Sequence, residues 1–329
     1  MELPFRVAAA PGTTDADGAL PEPESGCGGC SEPMPLSPAQ TGQWLAQQLD
    51  PAVPMSVAQY VDIGEGPGRL DVDLLSRAGS RAAREFGSGL IRLVLIDSRP
   101  HQILDPRLDT GTRIIDLRGE PDPEAAAHTW MRTDVTAPLD LLRDRLSVSV
   151  LLRIADDRWF WYTRAHHIAL DGVGAATMLY RVADLYNAAV EGREPPSARA
   201  ADLDAVNAAD TAYVGSERWR TDRDYWAERT SGMPERCSLA ERSAPARALG
   251  RDVGGVVAPD TAAALHEAQD RYGVSIAVLV ASAIAAYTAR HTGAEDVVLS
   301  LPVSSRTTAV LRRSGGTLAN VVPLRVSVG

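Results

Sequence analysis

The residues best suited to chemistry lie in one short stretch, HHIALDG, which spans residues 166–172. A neutral imidazole with an ordinary pKa of about 6.5 can accept a proton at working pH, so a histidine here could serve as a general base. Adjacent residues of a strand point to opposite faces, and His166 and His167 therefore cannot share one role. The same geometry disfavours a metal site, although His166, His167 and Asp171 are all ligand types.

Each of these residues also has a plain structural explanation. The two histidines can be residues at the edge of the core that hydrogen-bond to backbone carbonyls. Asp171 precedes a predicted helix, where a carboxylate N-cap stabilises by about 1 kcal/mol. Gly172 can be required by a positive φ or by close backbone packing. The sequence contains no G-x-S-x-G elbow, no P-loop and no G-x-G-x-x-G segment, which argues against a serine hydrolase or a nucleotide site.

The motif follows a predicted β-hairpin, RLSVSVLLRIADDRWFWYTRAHHI, whose turn contains Ala155, Asp156 and Asp157. If the second strand extends to His167, alternation predicts that His166 packs inward and that His167 faces the active site. The two predicted faces comprise Trp159, Trp161, Thr163, Ala165 and His167 on one side, and Phe160, Tyr162, Arg164 and His166 on the other.

Two helices are predicted to hold this loop. The helix after Gly172 ends near Gly192, and its apolar face comprises Val173, Ala176, Leu179, Tyr180, Ala183 and Tyr186. An earlier helix, in SPAQTGQWLAQQLDP, begins with Ser37 as N-cap and Pro38 at its first position. Its predicted apolar face comprises Ala39, Trp44, Leu45 and Leu49.

The remaining pattern predicts a mixed helix and sheet protein. Strands are predicted at SVAQYVDI, LIRLVLID, DVVLSLPV and LANVVPLRVSVG, with a weak one at DVGGVVAP; helices are predicted at DVDLLSRAGSRAAREF, DTAAALHEAQDRYG and SIAVLVASAIAAYTARHTG. We expect a flexible leader at residues 1–33, a first lobe at 34–198, a connector and helix at 199–245, and a partial second lobe at 246–329.

Composition narrows the partners and the compartment. A net charge of -10 argues against nucleic acid. No apolar run approaches the roughly 18 to 20 residues of a membrane span, and the first residues do not have the pattern of a signal peptide, so a cytoplasmic location without membrane contact is expected. Three cysteines, Cys27, Cys30 and Cys237, make a disulfide framework improbable, and CGGC lacks the second ligand pair of a zinc site.

The residues together resemble the condensation domains of non-ribosomal peptide synthetases. HHIALDG matches the HHxxxDG pattern of that family, and the segments PLSPAQTGQWLAQQLDP, RDYWAER, LSLPVSSR and GGTLANVVPLRV resemble its other motifs. The matched positions are Ser37, Ala39, Gln40, Trp44, Tyr225, Trp226, Arg306 and Asn320. The second family motif is replaced by REFGSGLIRLVL, as in domains that resemble starter or aryl-acid-accepting ones. Family members continue beyond NVVPLR, so the chain resembles an incomplete domain.

The resemblance implies an α/β (α+β) fold of two lobes similar to chloramphenicol acetyltransferase, arranged as a V around a tunnel, with the second lobe incomplete. It implies an acyltransferase that joins a donor acyl or aminoacyl thioester to the amine of an acceptor aminoacyl thioester. Both substrates would be carried on 4'-phosphopantetheine by an upstream donor and a downstream acceptor carrier domain, beside an adenylation domain. No cofactor or metal would be bound in the domain itself, and the fragment alone is expected to be inactive.

The resemblance also assigns roles to single residues. His167 would be the catalytic histidine, as base or as positioning group, with His166 beside it and with the backbone near Gly172 facing the developing oxyanion. Asp171 and Arg306 would form a structural pair, and Asn320 would bond backbone near the tunnel. Trp44, Tyr225 and Trp226 are expected to pack in the core. Alternatives are an epimerisation domain, a stand-alone acyltransferase, or a non-catalytic platform that docks carrier domains.

Overall fold

The computed structural model describes residues 29–64, 69–197, 200–234, 238–240 and 254–328. Most of the leader predicted at residues 1–33 therefore lies outside the described residues. The chain divides into two compact units, which we describe separately. The first unit comprises Met1–Asn207 and Arg313–Thr317, and the second comprises Ala208–Arg312 and Leu318–Gly329. The sequence-based boundaries of the two lobes remain a prediction.

The first unit contains two antiparallel or mixed sheets and most of the long helices. Its elements are β1 (Met34–Pro35), α1 (Pro38–Leu49), β2 (Ser56–Ile63), α2 (Val72–Phe86), β3 (Ile91–Ile96), β4 (Arg99–Leu104), β5 (Arg113–Asp116), α3 (Pro123–Thr136), β6 (Ser147–Arg153), β7 (Trp159–His166) and α4 (Gly172–Val190). One sheet has the order β1-β4-β3 and the other the order β2-β7-β6-β5. β7 is central in the larger sheet, so its end presents the histidines between two neighbouring strands.

The larger sheet carries a separate apolar cluster on each face. Leu151 and Trp161 pack with α2 and α4 through Leu75, Val182 and other residues. The opposite face packs with α3 through Phe160, Tyr162 and others. Burial of apolar side chains on both faces stabilises the sheet and fixes its register, because a slip by one residue would exchange the two sets.

The second unit contains four α-helical segments and one two-stranded sheet in the described residues. Its elements are the end of α5 (Leu203–Tyr213), α6 (Glu217–Thr230), α7 (Pro259–Tyr272), α8 (Ile276–Thr292), β8 (Asp296–Val303) and β9 (Asn320–Ser327), with β8 antiparallel to β9. Within the described ranges no single helix is long and apolar enough to cross a membrane. α7 and α8 meet that criterion only as a pair, which is bent by 101° at its break.

Most predicted elements are confirmed, and three details are wrong. β2, α2, β3, β6, β7, α4, α7, α8, β8 and β9 lie where the sequence predicts them. The weak strand predicted at DVGGVVAP is wrong for its described part, because residues 254–258 form no strand. Tyr225 was expected in the core, but it is 49% exposed and stacks edge-on against Trp226. The third wrong detail is the prediction of which residues form the buried faces of α1 and α4.

On α1 the predicted apolar residues Leu45 and Leu49 are 56% and 88% exposed, whereas Gln40 and Gln47 are buried. The buried glutamines hydrogen-bond to other parts of the first unit, which offsets the cost of removing their amides from water. On α4 the predicted Tyr180 is 72% exposed, while Arg181 is buried. Arg181 pairs with Glu85 of α2 at 2.6 Å, so α4 buries a polar side chain with its partner.

The segment 313–317 returns to the first unit and packs against the start of α4. A Cβ atom on Gly174 would lie 2.5 Å from the carbonyl oxygen of Gly315. Ser314 forms an isolated parallel bridge with Ala201, and the Thr317 hydroxyl donates a hydrogen bond to the carbonyl oxygen of His167. The close approach at Gly174 is therefore what allows this segment to reach the histidine loop.

This packing predicts opposite effects for two glycines in the first turn of α4. Gly174→Ala should lower the free energy of unfolding by about 1 to 3 kcal/mol through overpacking. Gly172→Ala is the matched control, because nothing lies within 4 Å of its Cβ position. Alanine favours helix by roughly 0.5 to 1 kcal/mol, so the control should be as stable as wild type or more stable. Urea denaturation of both variants measures this, and equal losses would contradict the packing.

Candidate functional site

His166 is the last residue of β7, and its side chain is fully buried. Its Nδ1 accepts a hydrogen bond from the backbone N–H of Ile168 at 3.1 Å. The proton of the neutral ring therefore lies on Nε2, which donates to Oε1 of Gln47 at 3.0 Å. Both ring nitrogens are satisfied, and the tautomer is determined by its two partners.

Burial determines the charge of this histidine. Burial, with smaller contributions from His167 and Arg164, lowers the pKa of His166 to about 4. The ring is thus neutral at physiological pH and accepts no proton there. Its carbonyl oxygen accepts hydrogen bonds from the N–H groups of Ala169 at 2.8 Å and Leu170 at 3.2 Å, which closes the tight turn after β7. His166 organises the loop that contains the second histidine.

Gln47 of α1 holds His166 from outside the strand. Its Nε2 lies within 3.2 Å of the carbonyl oxygens of Asp50, Pro51 and Val53, at the point where α1 ends. These contacts orient the amide so that Oε1 faces the His166 ring. No family motif in the sequence pointed to Gln47, and its spacing of seven residues from the other buried glutamine of α1 is the only local signal.

Gln40 of α1 also hydrogen-bonds to the histidine loop, at Ile168. Its Nε2 donates to Oε1 of Gln102 at 2.8 Å and to the carbonyl oxygen of Ile168 at 3.1 Å. Its own Oε1 accepts from the backbone N–H of Ser37, which completes the predicted start of the helix as a capping box. The start and the end of α1 therefore both contact the histidine loop.

His167 lies in the turn after β7 and is half-buried. Its N–H donates to the carbonyl oxygen of Met55 at 2.7 Å, and its carbonyl oxygen accepts from the Thr317 hydroxyl. Burial lowers the pKa of the imidazole, and the nearby charge of Asp171 opposes this in part. The backbone is held on both sides while the ring stays neutral and partly accessible, which is what a proton acceptor requires.

Asp171 and Gly172 begin α4. The structure confirms Asp171 as the N-cap, because its Oδ1 accepts from the N–H of Gly174 at 2.7 Å and the residue is 1% exposed. Neither plain explanation holds for Gly172, which has no positive φ and open space around its Cβ position. A glycine at an exposed helix start leaves room for other atoms to approach the backbone.

Two predicted site residues lie in the second unit. Arg306 is buried and donates from Nη1 to the carbonyl oxygen of Ser304 at 3.3 Å. Asn320 begins β9, is exposed, and accepts from the backbone N–H of Val321 at 2.8 Å. Asp171 belongs to the first unit, and its pairing with Arg306 remains a prediction.

Within the described ranges, no group of three or more His, Cys, Asp or Glu side chains could hold a metal ion. Cys30 forms a disulfide bond, and both other cysteines lie outside the described residues.

The buried histidine predicts that the protein loses stability in acid. In the unfolded chain His166 titrates near 6.5, and in the folded chain its pKa is about 4. Between these values only the unfolded chain binds the proton, so the free energy of unfolding falls as pH falls. From pH 7 to pH 5 we expect a fall about 2 kcal/mol larger in wild type than in His166→Asn. Urea denaturation at both pH values measures it, and an equal pH dependence would refute the assignment.

Comparison with known proteins identifies the family of this chain. A family model described as Condensation domain matches residues 31–329. The dimodular nonribosomal peptide synthase of Bacillus subtilis (strain 168) is 35% identical over 294 residues, which are 89% of this chain and 12% of that protein. The isonitrile lipopeptide synthase of Streptomyces coeruleorubidus is 37% identical over 307 residues, 92% of this chain and 21% of that protein. The chain thus spans a small part of these relatives.

Solved structures give the same result. The first condensation domain of the calcium-dependent antibiotic synthetase, in complex with a substrate analogue, matches with a TM-score of 0.78 and 34% identity over 91% of this chain and 71% of that chain. A mutant starter condensation domain of rhizomide synthetase in complex with C8-CoA matches with a TM-score of 0.79 and 32% identity over 90% and 66%. These neighbours confirm the predicted fold class. The chain belongs to the condensation domain family of non-ribosomal peptide synthetases.

Proposed function

We propose that this domain forms an amide bond between a carrier-bound donor acyl or aminoacyl thioester and the amine of a carrier-bound aminoacyl thioester. The observation that carries the proposal is the state of His167. Its imidazole is neutral and half-buried, and it lies on a loop whose backbone is held on both sides. Family membership supports the same reaction class, since condensation domains are amide-forming transferases.

The chemistry requires positioning and one proton acceptor. The acceptor amine attacks the thioester carbonyl, the C–N bond forms, and the C–S bond breaks as the tetrahedral intermediate collapses. The nitrogen loses a proton and the leaving thiolate gains one. We propose that the His167 imidazole acts at this step, either by carrying the proton between them or by orienting the amine. Alignment of the two thioester arms contributes several kcal/mol more.

The start of α4 suits the developing oxyanion. First-turn N–H groups of a helix have no partner within the helix, and the Asp171 side chain accepts from that of Gly174. Space around Gly172 lets a thioester oxygen approach this backbone. In this proposal Asp171 and Arg306 are a structural pair, and Asn320 contacts backbone rather than substrate.

The partners follow from the reaction. We propose an upstream donor and a downstream acceptor carrier domain, each with a 4'-phosphopantetheine arm, an adjacent adenylation domain, and no cofactor in the domain itself. The complex of a starter domain with C8-CoA supports an acyl thioester as donor. A cytoplasmic location belongs to the same proposal and rests on the sequence composition.

The direct test is His167→Ala in the full-length protein that carries this chain. Loss of a general base or positioning group should lower amide formation in single turnover by about 10²- to 10⁴-fold. The circular dichroism spectrum and melting temperature should stay near those of wild type, because His167 is only half-buried, whereas His166 is fully buried. His101→Ala on β4 is the matched control and should form product at the wild-type rate.

Unchanged product formation by His167→Ala would contradict a catalytic histidine. It would favour a platform that docks carrier domains without chemistry of its own.

A further inference from the structure

The first unit contains a partly open cavity of about 470 Å³ between its larger sheet and the helices α2 and α4. This size is within the range of sites that hold small organic ligands, roughly 300 to 1,000 Å³. The roof is mostly apolar and is formed by helix residues: Ala83, Ala175, Met178, Leu179 and Val182. The segment 108–113 closes one side.

The floor of the cavity is polar. Thr163 of β7 pairs in register with Gln59 of β2 on one side and with Ser149 of β6 on the other. Oγ1 of Thr112 lies 3.1 Å from Oγ of Ser149, so the row continues to the start of β5. We call Gln59, Thr163, Ser149 and Thr112 the polar row. It crosses the sheet beneath an apolar roof, and all four residues line the cavity.

The members of the polar row differ in what they offer a ligand. Ser149 already accepts from Nε1 of Trp161 at 3.1 Å, and Gln59 donates from Nε2 to the carbonyl oxygen of Ala175 at 3.3 Å. Among the residues that the structure describes, no hydrogen bond engages the Thr163 hydroxyl. A hydroxyl in such a place gains a partner when a ligand oxygen arrives, and a ligand without that oxygen leaves it unpaired.

The cavity adjoins the histidine loop. Ala165 and Leu170 line the cavity, and in sequence they flank the loop that contains His166 and His167. Ala175, in the first helical turns after Asp171, belongs to the roof. Thr163 lies two positions along β7 from Ala165, one step deeper on the same face. A group bound at the loop can therefore extend over the polar row.

We infer that this cavity holds the acyl group of the donor thioester, and that the polar row selects an acyl group with an oxygen substituent over the same carbon skeleton without it. The substituent is a hydroxyl group on a ring or chain, which either accepts a hydrogen bond from the Thr163 hydroxyl or donates one to it. This inference rests on the proposed function, because that function brings a donor thioester to His167. The apolar roof contacts the carbon skeleton of the acyl group, and the polar row distinguishes acyl groups with the oxygen from those without it.

The test compares donors that differ by one oxygen. Pantetheine thioesters of benzoate and hydroxybenzoate, and of octanoate and hydroxyoctanoate, serve as donors for condensation by the full-length protein. Inert amide analogues of the same four serve as ligands in calorimetry. At least one hydroxylated member should have a kcat/KM about tenfold higher and a Kd about tenfold lower than its parent, the effect of one added hydrogen bond.

Three variants assign the effect to the cavity. Thr163→Val keeps the branched shape and removes the hydroxyl, so the preference should fall to about twofold or less, whereas Thr163→Ser should retain it. Ser56→Ala removes an unpartnered hydroxyl from the opposite face of the same sheet and should leave the preference unchanged. Ala83→Phe fills the cavity from α2 and should weaken binding of both members of each pair.

The outcomes separate the two proposals. Amide formation without any preference, or a preference that survives Thr163→Val, would overturn the cavity assignment and leave the proposed function intact. A preference in calorimetry that is lost in Thr163→Val, without amide formation from any donor, would overturn the proposed function and support the cavity assignment. Wild-type binding by a folded Ala83→Phe would show that the acyl group lies elsewhere.

Discussion

The histidine loop depends on one buried hydrogen bond, from Nε2 of His166 to Oε1 of Gln47. A fully buried imidazole without partners would cost several kcal/mol, and a charged one would cost more. With Ile168 donating to Nδ1 and Gln47 accepting from Nε2, the ring is neutral, satisfied and fixed in one tautomer. The position of His166 in the HHxxxDG motif suggests a catalytic role, yet both of its ring nitrogens already form hydrogen bonds within the protein. Its neighbour His167 is the ring left half-buried and available.

Three parts of the first unit position the histidine loop: β7, α1 and the segment 313–317. β7 ends with His166 in the interior of a four-stranded sheet, and His167 follows in the turn. Helix α1 contacts this loop through Gln40 and Gln47. The segment 313–317 reaches the loop only because Gly174 has no side chain, and it fixes the carbonyl of His167 through Thr317. The same sheet carries the polar row on the face below α2 and α4. The histidine loop and the cavity are thus both positioned by the same four-stranded sheet.

Short-range sequence patterns were sufficient to predict much of the histidine loop and its supporting elements. Alternation on β7 identified the strand, and the caps Ser37 and Asp171 were recognisable because capping depends on residues within one turn. The inward-facing His166 could also be predicted. The role of Gln47 could not, because His166 lies 119 residues later in the sequence, and the exposed leucines of α1 suggested the opposite face. The polar row could not be predicted from the sequence either. Its Gln, Thr and Ser residues are far apart in the chain and become neighbours only when the strands pair in register.

The central claim is that His166 is a neutral structural residue locked by Gln47. The most direct measurement is the two-bond proton–nitrogen correlation spectrum of the histidine rings in the ¹⁵N-labelled protein, recorded at pH 7 and pH 5. We predict that His166 shows a protonated Nε2 and an unprotonated Nδ1 at both pH values, because its pKa is about 4, and that Gln47→Ala disturbs this pattern while Gln48→Ala does not. A His166 ring protonated on Nδ1, or one fully protonated at pH 5, would contradict the account.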